Sequence, residues 1–104
     1  MTRHAFKMKL KKGFEKEYKA RHDALWPEMV KELEDAGISD YSIYLDEETL
    51  TLFAFQKLKA YHSSDDLPSK AIVQKWWKYM GDIMETNSDG SPIAIDLTEV
   101  FHMD

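Results

Sequence analysis

The chain has no cysteine among its 104 residues, which excludes disulfide bridges and thiolate chemistry. No stretch approaches the ~20 consecutive apolar residues that a membrane-spanning helix needs. Residues 1–7 also lack the apolar run of a signal peptide. Glycine-rich phosphate loops and the nucleophile elbow of serine hydrolases are missing as well. We therefore expect a cytoplasmic protein that uses neither cysteine nor phosphate-loop chemistry.

Charge is mixed along the chain, with a formal net charge of −5 and no long block of lysine or arginine. Phosphate backbones need a basic face, so nucleic acid is not an expected partner. A hydrophobic fraction of 43% and an aromatic fraction of 12% are typical of a folded globular protein. At this length we expect one domain that spans residues 1–104.

Period-two alternation of side chains predicts four strands. They are expected at residues 3–11, about 40–46, about 50–57 and within 93–102. In the second strand, Tyr41 and Ile43 share one face and Tyr44 lies on the other. In the third, Phe53 and Phe55 lie opposite Leu52 and Ala54, so both faces of the predicted sheet are substantially apolar.

Two helical segments are expected, one over residues 14–36 and one ending near Met84. Pro27 disfavours helical geometry at the preceding residue, which predicts a break near residues 23–26. The same proline is expected near the start of the second helical piece. Gly37 then predicts the end of that piece.

The predicted order is strand–helix–strand–strand–helix–strand, which is the ferredoxin-like βαββαβ unit of the α+β class. Such a sheet is mainly antiparallel and carries both helices on one face. The apolar residues of the other face then need a cover. Either the sheet curls around a ligand cavity, or two sheets pack face to face in a dimer, and the two arrangements are compatible.

One histidine stands apart from the others by its neighbours. The chain has four: His4, His22, His62 and His102. No pair has the i, i+4 spacing of a helical metal site, so no metal is expected. His22 shares a helix stripe with Tyr18 and Trp26, and Arg21 precedes it. Two interpretations remain open, a half-buried histidine bonded to a backbone carbonyl or an acid–base catalyst.

Trp76 and Trp77 are 100° apart on an ideal helix and cannot point the same way. Tryptophans in an amphipathic stripe usually belong to the core, which is one interpretation. In the other, one ring packs in the core while the second floors a pocket and stacks on a sugar. Tyr41 is a better pocket candidate than Tyr44, given the strand faces. No carboxylate pair is placed for glycoside hydrolysis.

Several blocks of the sequence, taken together and in order, strongly resemble the L-rhamnose mutarotase family. They are RHDALWPE at 21–28, YSIYLD at 41–46, WWKYM at 76–80, SP at 91–92 and EVF at 99–101. Each block is only moderately specific, but the similar spacing extends over nearly the whole chain. Composition and periodicity permit this activity and do not by themselves indicate it.

The resemblance implies a homodimeric α/β-barrel enzyme of the ferredoxin-like type, an isomerase that interconverts the α and β anomers of L-rhamnose without a cofactor. It also implies that His22 is the proton donor. The other positions that match the family's substrate-binding residues are Tyr18, Tyr41, Trp76 and Trp77. The group that relays the second proton is left open.

Two further functions fit the same residues. Small dimeric α/β barrels also include cofactor-free monooxygenases and haem-degrading proteins, in which His22 would be a base or a haem ligand. In a non-catalytic sugar-binding module, the tryptophans would hold a sugar whose anomers exchange at the solvent rate.

Overall fold

The computed structural model describes all 104 residues, from Met1 to Asp104. Its elements are β1 (Thr2–Lys9), α1 (Glu15–Asp23), α2 (Pro27–Asp35), β2 (Ile38–Asp46), β3 (Thr51–Leu58), a 3₁₀ helix (Ser64–Ser69), α3 (Ala71–Met80) and β4 (Ile95–Asp96). The strands form one antiparallel sheet in the order β2-β3-β1-β4. This is the ferredoxin-like arrangement, and the predicted fold class is confirmed.

The helical break around Pro27 is confirmed. α1 ends at Asp23 and α2 begins at Pro27, whose fixed φ suits the first position of a helix. α2 gives way to β2 at Gly37, which has a φ of 88°. A Cβ at this position would lie 3.1 Å from the Cβ of His62, so both the backbone and the packing favour glycine.

The two faces of the sheet follow the predicted alternation. Leu52 and Ala54 are almost fully buried beneath the helices, whereas Phe55 on the opposite face is 44% exposed. The inner face packs with α1, α2 and α3 around a core that includes Met80 and Ile83. Each fully buried side chain of this size contributes about 1.5–3 kcal/mol relative to exposure.

A bulge in β2 determines where Tyr41 points. The register between β2 and β3 shifts between Ser39 and Ser42, and Asp40 adopts a φ of 49°. A bulge bends its strand and re-aims a side chain. The Tyr41 ring lies edge-on to Phe6 of β1 with 6.4 Å between ring centroids, which places it at the inner face as predicted.

The helix that was predicted to end near Met84 is shorter than expected. α3 ends at Met80, not near Met84, yet Ile83 and Met84 remain buried as the apolar stripe predicts. After Met80 the chain bonds to the end of β1 instead, through Lys11 N–H to the Ile83 carbonyl at 2.9 Å. Glu85 likewise donates to the Lys9 carbonyl at 3.0 Å. Tertiary pairing therefore replaces the last helical turn.

The last strand is also shorter than the sequence predicts. β4 comprises only Ile95–Asp96, with one more bond from Leu97 to the Ala5 carbonyl at 2.9 Å. The remainder of the predicted strand is not part of the sheet, although Glu99 still pairs with Arg3 of β1, and Phe101 is 78% exposed. No helix in the structure is both long and apolar enough to span a membrane.

Candidate active site

A cavity of about 1240 Å³ lies between the inner face of the sheet and the helices. We name its two sides by their elements: the helical wall is formed by α1 and α3, and the sheet floor by β1, β2 and β3. The five residues that the sequence singled out all line this cavity, namely Tyr18, His22, Tyr41, Trp76 and Trp77. Residues far apart in the sequence are thus brought to one space.

His22 lies near the end of α1, on the helical wall. Its Nδ1 is 3.1 Å from the carbonyl oxygen of Tyr18, one turn earlier in the same helix. Its ring stacks on the Tyr18 ring at a centroid distance of 4.3 Å and meets Trp76 edge-on at 5.4 Å. The imidazole is therefore held in one orientation by a hydrogen bond and two aromatic neighbours.

The hydrogen bond decides which ring nitrogen of His22 carries the proton. A carbonyl oxygen only accepts, so Nδ1 donates to Tyr18 and the neutral ring has an unprotonated Nε2. Burial lowers the pKa of His22, and this outweighs the bond to Tyr18, which acts in the opposite direction. At neutral pH, Nε2 is consequently a free lone pair that can accept a proton.

Two tyrosine hydroxyls complete the polar part of the wall and floor. Tyr18 is buried, and burial together with the nearby Tyr41 hydroxyl raises its pKa well above the ordinary value. Although 37% of the Tyr41 residue surface is exposed, burial around its hydroxyl raises the pKa to about 12. Both phenols remain protonated at physiological pH and can donate hydrogen bonds.

The tandem tryptophans occupy different environments, as their angular separation on the helix requires. Trp76 is 7% exposed and packs edge-on against Trp26 with 5.0 Å between centroids. Trp77 is half-buried and packs against the rim of the core. Both still line the cavity, so the structure does not separate them into one core ring and one pocket ring.

Arg21 holds the two helices of the helical wall together without lining the cavity, a role that sequence reasoning missed. Its guanidinium donates to the Tyr79 carbonyl at 2.8 Å and to both carboxylate oxygens of Asp82 at 2.9 and 3.2 Å. It also lies 4.3 Å from the centroid of the Tyr79 ring. These bonds lower the pKa of the Asp82 carboxyl and connect α1 to the end of α3.

A second polar group on the sheet floor was also missed. His4 of β1 pairs with Gln56 of β3 in the sheet, and both side chains line the cavity. Nδ1 of His4 is 2.8 Å from the Gln56 amide nitrogen, and its Nε2 is 3.1 Å from an Asp96 carboxylate oxygen. Strand alternation places Phe6 and Met8 on the inner face of β1 and places His4 on the same face. This pattern could have identified His4 from the sequence.

The cavity suits a small polar molecule with an apolar face. Flat indole rings, two phenol donors and one imidazole with a free nitrogen converge on it. Such a set can stack on a sugar ring, bind its hydroxyls and move one proton. No three histidine or carboxylate side chains come close enough together to share a metal ion.

Comparisons with known proteins return one family for almost the whole chain. A family model described as L-rhamnose mutarotase matches residues 3–103. The chain is similar to the L-rhamnose mutarotases of Phocaeicola vulgatus and Bacteroides thetaiotaomicron, at 62% and 60% identity over the full length of both chains. It is also similar to the crystal structure of L-rhamnose mutarotase from Formosa agariphila, at 55% identity, full coverage of both chains and a TM-score of 0.94.

Proposed function

The chain belongs to the L-rhamnose mutarotase family, and on that premise we propose that it interconverts the α and β anomers of L-rhamnose at the cavity described above. The enzyme is then an isomerase, grouped with the racemases and epimerases that act on carbohydrates. The substrate is a small sugar, and the reaction returns the same sugar with the opposite configuration at the anomeric carbon.

The reaction needs only proton transfer and orientation. The anomeric hydroxyl loses a proton, the bond between the anomeric carbon and the ring oxygen breaks, and the ring oxygen gains a proton. The open aldehyde rotates, and the same steps in reverse close the ring on its other face. No carbon–hydrogen bond breaks and no electrons leave the sugar. One well-placed acid–base group typically contributes about 10²–10⁴-fold in rate.

We assign that group to His22, and the observation that carries the assignment is its hydrogen bond to the Tyr18 carbonyl. With Nδ1 engaged, Nε2 takes up the proton from the anomeric hydroxyl, through a water or a tyrosine hydroxyl, and delivers it to the ring oxygen. Proton uptake and delivery balance over one turnover. The lowered pKa of His22 makes its protonated form a strong donor.

The remaining cavity residues bind and orient the sugar in this proposal. The Tyr18 and Tyr41 phenols, held protonated by their raised pKa values, donate hydrogen bonds to sugar oxygens. Trp76 and Trp77 provide indole faces for the apolar C–H surface of the pyranose. Holding the ring in one orientation adds to the rate by reducing the entropy lost on the way to the transition state.

Saturation transfer between the two anomeric protons of L-rhamnose tests this function directly by NMR. We expect the exchange rate to exceed the buffer rate in proportion to the protein concentration. Sugar binding without accelerated exchange would instead identify a non-catalytic sugar-binding module. Addition of haem that produces a Soret shift would favour the haem-binding alternative.

We also propose a homodimer that covers the outer face of the sheet. Tyr44 and Phe55 form an edge-on ring pair on that face, with 5.8 Å between centroids, and are 64% and 44% exposed. Contiguous exposed apolar surface of this kind typically marks an interaction site. Sedimentation tests the proposal: we expect twice the chain mass for the parent and the chain mass for Phe55→Lys, and a monomeric parent would refute it.

A further inference from the structure

The sheet floor contains a buried polar side chain to which the mechanism above assigns no role. Gln56 is 8% exposed, and the other buried side chains belong to hydrophobic residues. It lies beside His4 in the paired strands β1 and β3, on the cavity side of the sheet. Burial of an amide is unfavourable unless its polar atoms find hydrogen-bond partners. Such a residue in a binding cavity therefore calls for a partner.

The hydrogen-bond chain that ends at Gln56 fixes the direction of its amide. The carboxylate of Asp96 only accepts, so Nε2 of His4 donates to it at 3.1 Å. The other nitrogen of a neutral His4, Nδ1, is then a lone pair. It accepts from the Gln56 amide nitrogen at 2.8 Å. The amide nitrogen is thus held by His4, and the amide oxygen points away from it.

The Gln56 oxygen accepts no hydrogen bond from the chain. No side-chain nitrogen or oxygen is sealed in the interior without a partner, so this oxygen is in contact with open space. Gln56 lines the cavity, and its amide oxygen can only accept, whereas the phenols of Tyr18 and Tyr41 each bring a donor. A sugar hydroxyl can both donate and accept, so the three groups are complementary.

We propose that Gln56 is a specificity-determining residue that accepts a hydrogen bond from one ring hydroxyl of the sugar, and that His4 and Asp96 are positioning residues that hold its amide oxygen toward the cavity. The proposal rests on the proposed function of the same cavity. It adds a contact on the sheet floor to the groups on the helical wall.

A cycle of protein and sugar variants tests the contact. Binding is measured by calorimetry for L-rhamnose and for its analogues lacking the hydroxyl at C2, C3 or C4. A neutral hydrogen bond contributes about 0.5–1.5 kcal/mol, so we expect Gln56→Leu to weaken L-rhamnose binding by about twofold to twelvefold. The analogue that lacks the contacted hydroxyl should bind the parent as weakly as L-rhamnose binds Gln56→Leu. The affinity for this analogue should not fall further in Gln56→Leu.

The matched control is Gln74→Leu, the same substitution at an exposed position of α3. We expect it to bind every sugar as the parent does. If Gln56→Leu binds all four sugars like the parent while anomer exchange persists, the proposed contact is wrong and the proposed function stands. If the parent does not accelerate exchange, the function is wrong, and the binding cycle still decides the contact.

The positioning role has its own test. His4→Leu should reproduce the analogue selectivity of Gln56→Leu, whereas Asp96→Asn should keep the parent selectivity because its amide oxygen still accepts from His4. Nitrogen-15 NMR of the parent above neutral pH should find His4 protonated on Nε2 and bare on Nδ1. If Nδ1 of His4 carries a proton, it donates to the Gln56 amide oxygen, and that oxygen cannot point away from His4. This result would overturn the proposal, and it needs only the parent protein, so it does not depend on whether the variants fold.

Discussion

The two cavity histidines are held in opposite ways. His22, on the helical wall, donates through Nδ1 to a backbone carbonyl and leaves Nε2 without a partner in the chain. His4, on the sheet floor, has both ring nitrogens bonded, one to the Asp96 carboxylate and one to the Gln56 amide. For His22, the helix supplies one backbone carbonyl as an acceptor. For His4, the sheet supplies two side chains, one at each ring nitrogen.

The difference separates a residue that can move a proton from one that can only orient a neighbour. A ring with one free nitrogen can take up and release a proton without breaking its supporting bond. A ring with both nitrogens engaged must break a hydrogen bond to do so. Residue type and location in a cavity are therefore insufficient to identify a catalytic histidine, and the partners of both nitrogens decide the matter.

Replacement of the two histidines in turn gives the largest expected contrast. His22→Ala should reduce the accelerated anomer exchange by about 10²–10⁴-fold, because the proton acceptor is removed. His4→Ala should retain the saturated rate within about tenfold and act mainly on the sugar concentration needed for half-saturation. Saturation-transfer NMR measures both. Equal losses of rate in the two variants would show that the two histidines do not differ in function.

The bonds of Arg21 to the end of α3 should contribute more to stability than an exposed ion pair does. Arg21→Met removes the bonds to the Tyr79 carbonyl and to Asp82, and we expect it to lower the free energy of unfolding by about 1–2 kcal/mol. The exposed pair of Lys19 with Asp23 is the control, and Lys19→Met should cost less than about 0.5 kcal/mol. Urea unfolding compares the two, and a reversed order would contradict the bracing role.

The pH dependence of exchange should follow His22. Its folded pKa is lowered below the ordinary value of 6.5 by burial, so the neutral form with a free Nε2 prevails at and above neutral pH. We expect a flat rate there and a decline of about tenfold per pH unit once the pH falls below that pKa. A rate that rises as the pH falls would indicate that the resting imidazolium is the acid.

The hydroxyl contacts should give the smallest effects. Tyr18→Phe removes one phenol donor from the cavity and should raise the half-saturating L-rhamnose concentration by about threefold to tenfold. Tyr44→Phe deletes the same atom on the outer face of the sheet and should leave this concentration unchanged. Exchange rates over a series of sugar concentrations test the pair, and similar shifts in both variants would argue against a direct contact from Tyr18.

Local signals in the sequence predicted most of the fold. Pro27 and Gly37 act through their own backbone preferences, and strand alternation acts between nearest neighbours, so both can be recognised in one chain. The predicted end of α3 and the predicted length of β4 were wrong, because the bonds of Ile83, Glu85 and Leu97 to the β1 region depend on partners that are distant in sequence. Helical periodicity still identified Ile83 and Met84 as buried.

The helical wall of the site was also recognisable in advance, whereas on the sheet floor only Tyr41 was. Tyr18 and His22 are one turn apart in a single helix, so their stacking follows from spacing alone. The contacts of His4 with Gln56 and Asp96 join three strands that are distant in sequence. Their meeting depends on strand order and register, which periodicity does not supply.

The proposed mechanism requires that the free Nε2 of His22 exchange a proton with the sugar, and nitrogen-15 NMR of the labelled protein detects the protonation state of both ring nitrogens. Above neutral pH, we expect Nδ1 of His22 to be protonated and Nε2 to be unprotonated. Saturating L-rhamnose should shift the Nε2 resonance and leave Nδ1 protonated. An Nε2 that is already protonated without sugar, or a resonance that the sugar does not move, would refute the role of His22.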